Sequence, residues 1–384
     1  MRIAIDALAT DCGLSGLSTY AKEVVRWLPR LGRDHEFEVV HHADDGWVIE
    51  GASGVHSLPI SPRWRHPAVN MLWHQLELPR LAHARGWDAV LLAAGNRRLP
   101  VWMPCASVAT IHDLASCHHP ERFGALRGSY VRRVVTRLVG RLDHAIAISQ
   151  DARRDVLAFS PIRPDRVTVV PQAADTDRFI PGDREAARRS VAEKFGILDP
   201  YILYVSRVEH PSKNHVRLID ALAEAHRTSG VTHRLVCVGA DRERAGEVHA
   251  HRAGSPIAGR IDFLGFVDDA ALLDLYRAAD ALVFPSLFEG FGLPVLEAMA
   301  TGLPVACARA ASLPEVGGDA AIYFDPYDVS DMARAIAAVL ADPAGRGARA
   351  DRSRARALEF SWEATAARTL AVLEAAVERR RAPG

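Results

Sequence analysis

The strongest constraint on this chain is a rhythm that starts twice. Short apolar runs fall at residues 2–8, 36–43, 88–94, 107–114, 144–149 and 167–171, with amphipathic stretches separating most of them. The segment PQAADTDRFIPGD, 171–183, then interrupts with prolines, a glycine and aspartates and carries no apolar period. After it the alternation resumes, with apolar runs at 201–206, 234–239, 261–265, 281–286, 304–308 and 321–325. Strands separated by helices predict an α/β chain of two Rossmann-like domains built on parallel sheets covered on both faces. The expected divisions are 1–178, 179–360 and a terminal segment 361–384. In that segment Ala366, Leu370, Leu373 and Val377 recur at helical spacing between Trp362 and Arg381. Open sheets of this kind bind ligands beyond the carboxyl ends of their strands, so a site in a cleft between two facing sheets is expected.

Charge excludes one class of partner. Forty-seven basic and forty-seven acidic residues cancel, so the broad positive field of a nucleic-acid binder is missing. Five cysteines, Cys12, Cys105, Cys117, Cys237 and Cys307, are odd in number and never spaced as CxxC. That argues against a disulfide framework or a zinc ribbon and for a reducing, cytoplasmic setting. The opening MRIAIDALAT reads as a strand rather than a signal peptide, and no window approaches eighteen uninterrupted apolar residues. Lysine occurs only at positions 22, 194 and 213, which makes each one worth inspecting.

The stretch FPSLFEGFGLPVLEAMATGLPV, 284–305, carries the most chemistry. Pro294 suits the first position of a short helix that Gly302 stops. Backbone N–H groups around Gly292 and Leu293 would then suit a phosphate or sugar hydroxyls. Glu289 is expected in the loop and Glu297 in the first helical turn, so that both carboxylates can face one ligand. The residues alone equally allow a solvated Glu289 and a Glu297 that only favours the helix dipole. In YVSRVEHPSKNHVRLIDALAEA, 204–225, Arg207 follows a strand and Lys213 is expected at a helix start. Two fixed cations there can neutralise a diphosphate without a metal ion, the alternative being a solvated pair.

In the first half, Gly13 and Gly16 of DCGLSGLSTYAKEV allow close backbone approach to a phosphate, with Ser18 or Thr19 as a helix cap. His112 ends a strand, Asp113 beside it is a weaker candidate for acceptor contact, and His118 and His119 read as loop residues. Asp175 and Asp177 spell DxD, but in the linker rather than in a metal site. His112, Cys117, His118 and His119 lack a second pair at ligand spacing. Arg133, Arg137 and Arg141 recur every fourth residue and suit either an anionic lipid surface or ordinary solvation.

The 204–225 and 284–305 stretches together resemble the retaining GT-B fold glycosyltransferases, the large bacterial group 1 (glycosyltransferase family 4-like) family. The chain also resembles lipopolysaccharide and exopolysaccharide mannosyltransferases of that family. It implies that Glu297 holds the donor's ribose hydroxyls, and that Glu289 with the backbone of Gly290, Phe291, Gly292 and Leu293 holds its sugar. It also implies diphosphate binding by Arg207 and Lys213. Further, the Gly13–Gly16 loop would approach the donor phosphates and the acceptor, and His112 the donor sugar. The linker VVPQAADTDRF, the LGFVDDAALLDLYRAAD stretch near the nucleotide base, and FSWEATAARTL, a helix crossing back to the first domain, also match. Gln172 and Ala173 depart from the usual Asn-Gly. The implied activity is retaining, metal-independent hexosyl transfer to a saccharide or lipid-linked hydroxyl in cell-surface polysaccharide synthesis. GDP-mannose is the first donor to consider, and no cofactor is implied. A nucleotide-sugar 2-epimerase of GT-B-like architecture and a non-catalytic nucleotide-sugar-binding partner are the alternatives. Peripheral membrane contact would run through the arginine stripe.

Overall fold

The computed structural model describes residues 1–8, 10, 13, 15–95, 97–118, 125–341 and 346–382, without the side chains of 125–127 and 346. They form two compact units, one of residues 1–172 with 362–384 and one of residues 173–361. Among the described residues no helix is long and apolar enough to cross a membrane.

Unit 1 is built on seven parallel strands: β1 (Arg2–Asp6), β2 (Glu36–His42), β3 (Val55–Ile60), β4 (Ala89–Leu92), β5 (Ala106–Ile111), β6 (His144–Ala147) and β7 (Val167–Val169). Their spatial order is β3-β2-β1-β4-β5-β6-β7. The order reverses beside β1, the doubly wound arrangement in which crossover helices cover both faces. Central strands β4, β5 and β6 are buried along their whole length, which is why they read as continuous apolar runs rather than alternating ones.

The sequence rhythm missed β3. VHSLPI is half exposed and contains Pro59, which a sheet tolerates only at an edge such as this. A strand that buries little leaves little apolar signal.

Unit 2 repeats the plan with six parallel strands: β8 (Tyr201–Val205), β9 (Arg234–Val238), β10 (Ile261–Phe263), β11 (Ala281–Phe284), β12 (Val305–Ala308) and β13 (Ala321–Phe324). Their order is β10-β9-β8-β11-β12-β13, so the switch point lies between β8 and β11.

The chain passes from unit 1 to unit 2 after Gln172 rather than after 178, and returns after Ser361 rather than after 360. Ala173, Ala174 and Phe179 are buried within unit 2, which moves the first division forward. Helix α1 (Gly16–Leu31) packs against the terminal helix, Trp362–Arg381, which also lies on β5. Trp362, Ala366, Leu373 and Val377 of the terminal helix are buried in unit 1. Its polar ends are tied down as well. The Thr365 hydroxyl donates to Pro171 O at 2.7 Å, and Arg380 reaches Asp143 at 2.9 Å and Met103 O at 2.7 Å.

Leu373 is fully buried in this contact. Leu373→Ala is expected to destabilise unit 1 by about 2–5 kcal/mol through lost transfer energy and the cavity left behind. Urea unfolding, with amide exchange rising in α1 and β5, checks this.

Candidate functional site

In unit 2 the two loops at the switch point are stitched to each other. Asn214, at a left-handed φ of 59°, precedes helix α2 (His215–Ser229). Its Nδ2 donates to Pro285 O at 3.1 Å and to Pro326 O at 2.7 Å. The Leu287 N–H donates to Ser212 O at 3.0 Å. The Tyr204 hydroxyl, at the end of β8, donates to Lys213 O at 2.6 Å and lies 3.2 Å from Ser286 Oγ. Gly239 permits the close strand spacing behind this, because a Cβ there would meet Ser206 O at 2.2 Å.

The stitching brings Lys213 Nζ to 2.6 Å from Glu289 Oε1, with side chains only 15% and 17% exposed. Lys213 lies in the turn before α2, not in its first helical turn as expected, because Asn214 takes the capping position. Removing either partner from so shielded a pair strands a charge, at a cost of about 3–5 kcal/mol. Arg207 belongs to the same loop but is more open, 53% exposed and 3.8 Å from Glu209.

Glu289 to Phe291 are held from beneath by Ser312, whose hydroxyl lies 2.9 Å from Glu289 O and 2.8 Å from Phe291 O. Gly292 has φ 106° and caps the next helix, Leu293–Ala300, here α3. A Cβ at Gly292 would also lie 2.8 Å from Leu313. Because α3 begins at Leu293, Pro294 occupies its second position and Glu297 its fifth, one residue further into the helix than expected and just past the first turn. Gly302, at φ 75°, follows the helix end.

Glu297 meets a partner that the sequence reading did not foresee. Tyr276, in the helix Asp269–Ala278, donates its hydroxyl to Glu297 Oε2 at 2.8 Å. Burial pushes the Glu297 carboxyl above the usual range, and the Tyr276 hydrogen bond offsets part of that. The two glutamates therefore differ: one is neutralised by an ammonium, the other held by a phenol.

In unit 1, Gly13 adopts φ 86°, and a Cβ there would lie 3.7 Å from the Trp47 ring. Asp11, Cys12 and Leu14 of the glycine loop lie outside the described residues. Gly16 opens α1 after Ser15, so Ser18 and Thr19 sit inside the helix rather than capping it. His112 follows β5 and is buried, with its Nε2–H donating to Ala93 O at 2.8 Å and its Nδ1 accepting from Gln172 Nε2 at 3.1 Å. Its edge meets the Tyr20 ring. Burial depresses its pKa to about 4. Gln172, where the family resemblance has asparagine, thus fixes the tautomer of His112.

Asp113 caps the short turn that follows by accepting from the Ala115 N–H at 3.1 Å. His118 is not a bare loop residue, since it ends the short helix Ala115–His118 and pairs with Asp155 at 2.7 Å. His119 lies outside the described residues. In the DxD stretch, Asp175 Oδ1 accepts from the Asp177 and Arg178 N–H groups, closing a local turn. No cluster of three or more potential metal ligands occurs among the described residues. Arg133, Arg137 and Arg141 are exposed. A concavity of about 550 Å³ lined by Arg2, Glu36, Glu38 and Arg85 lies at the amino ends of β1 and β2, the wrong edge for these residues.

Residues 14–178 match the family model described as Glycosyltransferase Family 4, and residues 199–342 the one described as Glycosyl transferases group 1. The chain is 29% identical over 372 residues to the O-antigen chain mannosyltransferase B of Escherichia coli, covering 93% of this chain and 95% of that one. It is 32% identical over 270 residues to the serotype-specific mannosyltransferase WbdA of Escherichia coli, covering 69% of this chain but only 33% of that one. Among solved structures, HepE of Anabaena, in complex with UDP and glucose, superposes with a TM-score of 0.75 at 20% identity, over 97% and 99% of the two chains. Two parallel-sheet, Rossmann-like units that match solved GT-B structures over nearly the whole chain define the GT-B fold. The chain belongs to the group 1, family 4-like glycosyltransferases.

The buried imidazole predicts a pH dependence. His112 has a folded-state pKa of about 4 against 6.5 unperturbed, so the stability it contributes is complete above pH 6.5 and is lost as pH falls towards 4. His112→Gln is expected to flatten the stability profile in that window by up to about 1.4 kcal/mol per pH unit. Urea midpoints across the range measure it.

Proposed function

We propose that this glycosyltransferase moves a hexose, with retention of configuration, from a nucleotide diphosphate sugar to a hydroxyl of a saccharide or lipid-linked acceptor. The observation that carries the reading is the shielded Lys213–Glu289 pair at the carboxyl edge of β8 and β11, with Arg207 exposed in the same loop as Lys213. Diphosphate binding draws Lys213 and Arg207 to the phosphate oxygens, where each N–H forms a charge-assisted bond. Glu289 then has lone pairs for hydroxyls of the donor sugar. Glu297, already polarised by Tyr276, accepts from the ribose.

In this reading the bond from the anomeric carbon to the leaving phosphate oxygen breaks, and the acceptor oxygen bonds to the same face. The acceptor's proton passes to a phosphate oxygen. Lys213, Arg207 and the N–H groups at the start of α3 stabilise the charge on the leaving diphosphate, so no divalent cation is needed. Acceptor binding is assigned to unit 1. The ring of His112 has both nitrogens bonded within that unit, so it acts as a neutral positioning residue rather than as an acid or base. Mannose as the donor sugar, and a role in surface polysaccharide synthesis, are supported by the mannosyltransferases among the relatives.

A thermal-shift panel of GDP, UDP and ADP sugars tests the donor. GDP-mannose at a hundred times its Kd is expected to add about 2.7 kcal/mol, more than the other sugars at equal concentration. Product NMR is expected to give the donor's anomeric configuration, in the presence of chelator. An inverted product, or activity that returns only with magnesium or manganese, contradicts the mechanism.

The carboxylates should separate kinetically. Glu297→Ala is expected to weaken binding of the bare nucleotide diphosphate by about 1.5–3 kcal/mol, the worth of a charged hydrogen bond. Glu289→Gln, which keeps an acceptor beside the Lys213 ammonium, should leave that affinity nearly unchanged while kcat falls. Lys213→Ala combined with Glu289→Gln, which avoids a stranded carboxylate, is expected to lower kcat by about a hundredfold to a thousandfold. Calorimetry and saturation kinetics supply the comparison, and equal loss of nucleotide affinity in both glutamate variants would contradict the assignment.

A further inference from the structure

Among the described residues of unit 1, five of the seven exposed large apolar side chains gather in one place, Val134 and Phe159 being the other two. Helix α4 (Pro67–Arg85) buries Trp73, His74 and Leu78, yet Leu72 and Leu76 are 52% and 59% exposed. With Val69, Arg80 and His83 they recur at three- and four-residue steps, which places them on one outward stripe. The stripe is apolar for its first two turns and then carries Arg80 and His83.

A neighbouring loop adds to it. Leu99 and Met103 are buried anchors, while Val101 and Trp102 between them stand exposed, Trp102 at 64%. Gln75 clamps this loop to the helix by donating from Nε2 to Leu99 O at 2.9 Å and accepting at Oε1 from the Val101 N–H at 2.8 Å. The loop is thereby fixed beside Leu76. A tryptophan held outward between two buried anchors is a presented side chain, not one that failed to find a core.

The charge carried by the segment around the patch is mainly positive, although Arg65 is paired with Asp44 and Asp45, and Arg85 lies 3.8 Å from Glu38. Residues 61–85 contain four arginines and a single acid, Glu77. Arg63 and Arg80 are exposed, and Arg63 lies over the ring of its neighbour Trp64. Arg98 donates to Asn70 Oδ1 at 2.9 Å, near the start of the helix, which places a further arginine beside the patch.

The geometry points to this face of unit 1 as a docking surface for a membrane with anionic head groups, Leu72, Leu76 and Trp102 entering the interface and the arginine rim meeting the phosphates. Tryptophan favours the boundary between head groups and chains, and arginine stems can lie along apolar surface while their guanidinium groups reach phosphate. A second copy of the chain fits less well, because a two-fold contact would set the arginine rim against itself. The surface goes beyond the donor reading, since vesicle binding and nucleotide binding are measured separately.

The test is co-sedimentation of the full chain with phosphatidylethanolamine vesicles, with and without phosphatidylglycerol. The protein is expected to sediment only with the anionic vesicles, and less at high salt. Leu72→Ser/Leu76→Ser and Trp102→Ser should each reduce binding by about tenfold or more, in line with the apolar area withdrawn from the interface. Arg63→Glu/Arg80→Glu should abolish binding, and it leaves the apolar residues in place should a serine variant misfold. All variants should retain nucleotide affinity by calorimetry. Failure of the wild type to bind anionic vesicles, or serine variants that bind like the wild type, would overturn the inference. So would light scattering that shows a dimer dispersed by those substitutions, which would make the patch an interface between copies.

Discussion

The candidate site depends on one polar stitch at the switch point of unit 2. Asn214 spends its amide on the carbonyls of Pro285 and Pro326, and Tyr204 spends its hydroxyl on the carbonyl of Lys213. These bonds satisfy backbone groups that the ends of β8 and β11 would otherwise leave open. They also decide where a lysine and a glutamate 76 residues apart come to rest. Without them the Lys213–Glu289 pair would join two mobile loops, and an ion pair between mobile side chains contributes little. Shielded and oriented, the same pair becomes a preorganised charge at a sheet edge.

Unit 1 follows a different logic. Its central polar residue is an imidazole with no freedom: His112 donates to one carbonyl, accepts from one amide, and lies edge-on to Tyr20. Burial keeps it neutral, and that neutrality makes the two bonds compatible, since a protonated Nδ1 would face the amide protons of Gln172. The chain supplies Gln172 at the last residue before it leaves for unit 2. The terminal helix then returns and holds Pro171 through Thr365, so both ends of the crossing are tied to unit 1. Unit 1 thus holds its polar residues in fixed partnerships, while most of the large apolar residues it leaves outside, among those described, lie on the helix Pro67–Arg85 and its clamped loop.

Much of this was legible in the residues. Buried parallel strands reveal themselves because both faces are covered, so β4, β5, β6 and, in unit 2, β8, β9, β11 and β12 appear as apolar runs between helices. Gly292 and Gly302 mark real positive-φ positions at the two ends of α3. The edge strand β3 stayed hidden because partial exposure and Pro59 remove the pattern that reading relies on. Helix starts were harder still. Lys213 and Glu297 each lay one step from their expected place, since capping by Asn214 and Gly292 depends on φ values that neighbouring loops impose.

By itself the sequence determined the class, the two parallel-sheet units, the succession of their strands apart from β3, and the candidate residues for the site. Those follow from local periodicity and from side-chain type, which need no knowledge of what lies opposite. Tertiary structure alone decided partners: Tyr276 for Glu297, Glu289 for Lys213, Gln172 for His112, and Asp155 for His118. The physical reason is that a hydrogen bond or ion pair is made between groups brought together by strand order and loop closure. Residue spacing specifies which side of an element a group occupies, but not which distant group will face it.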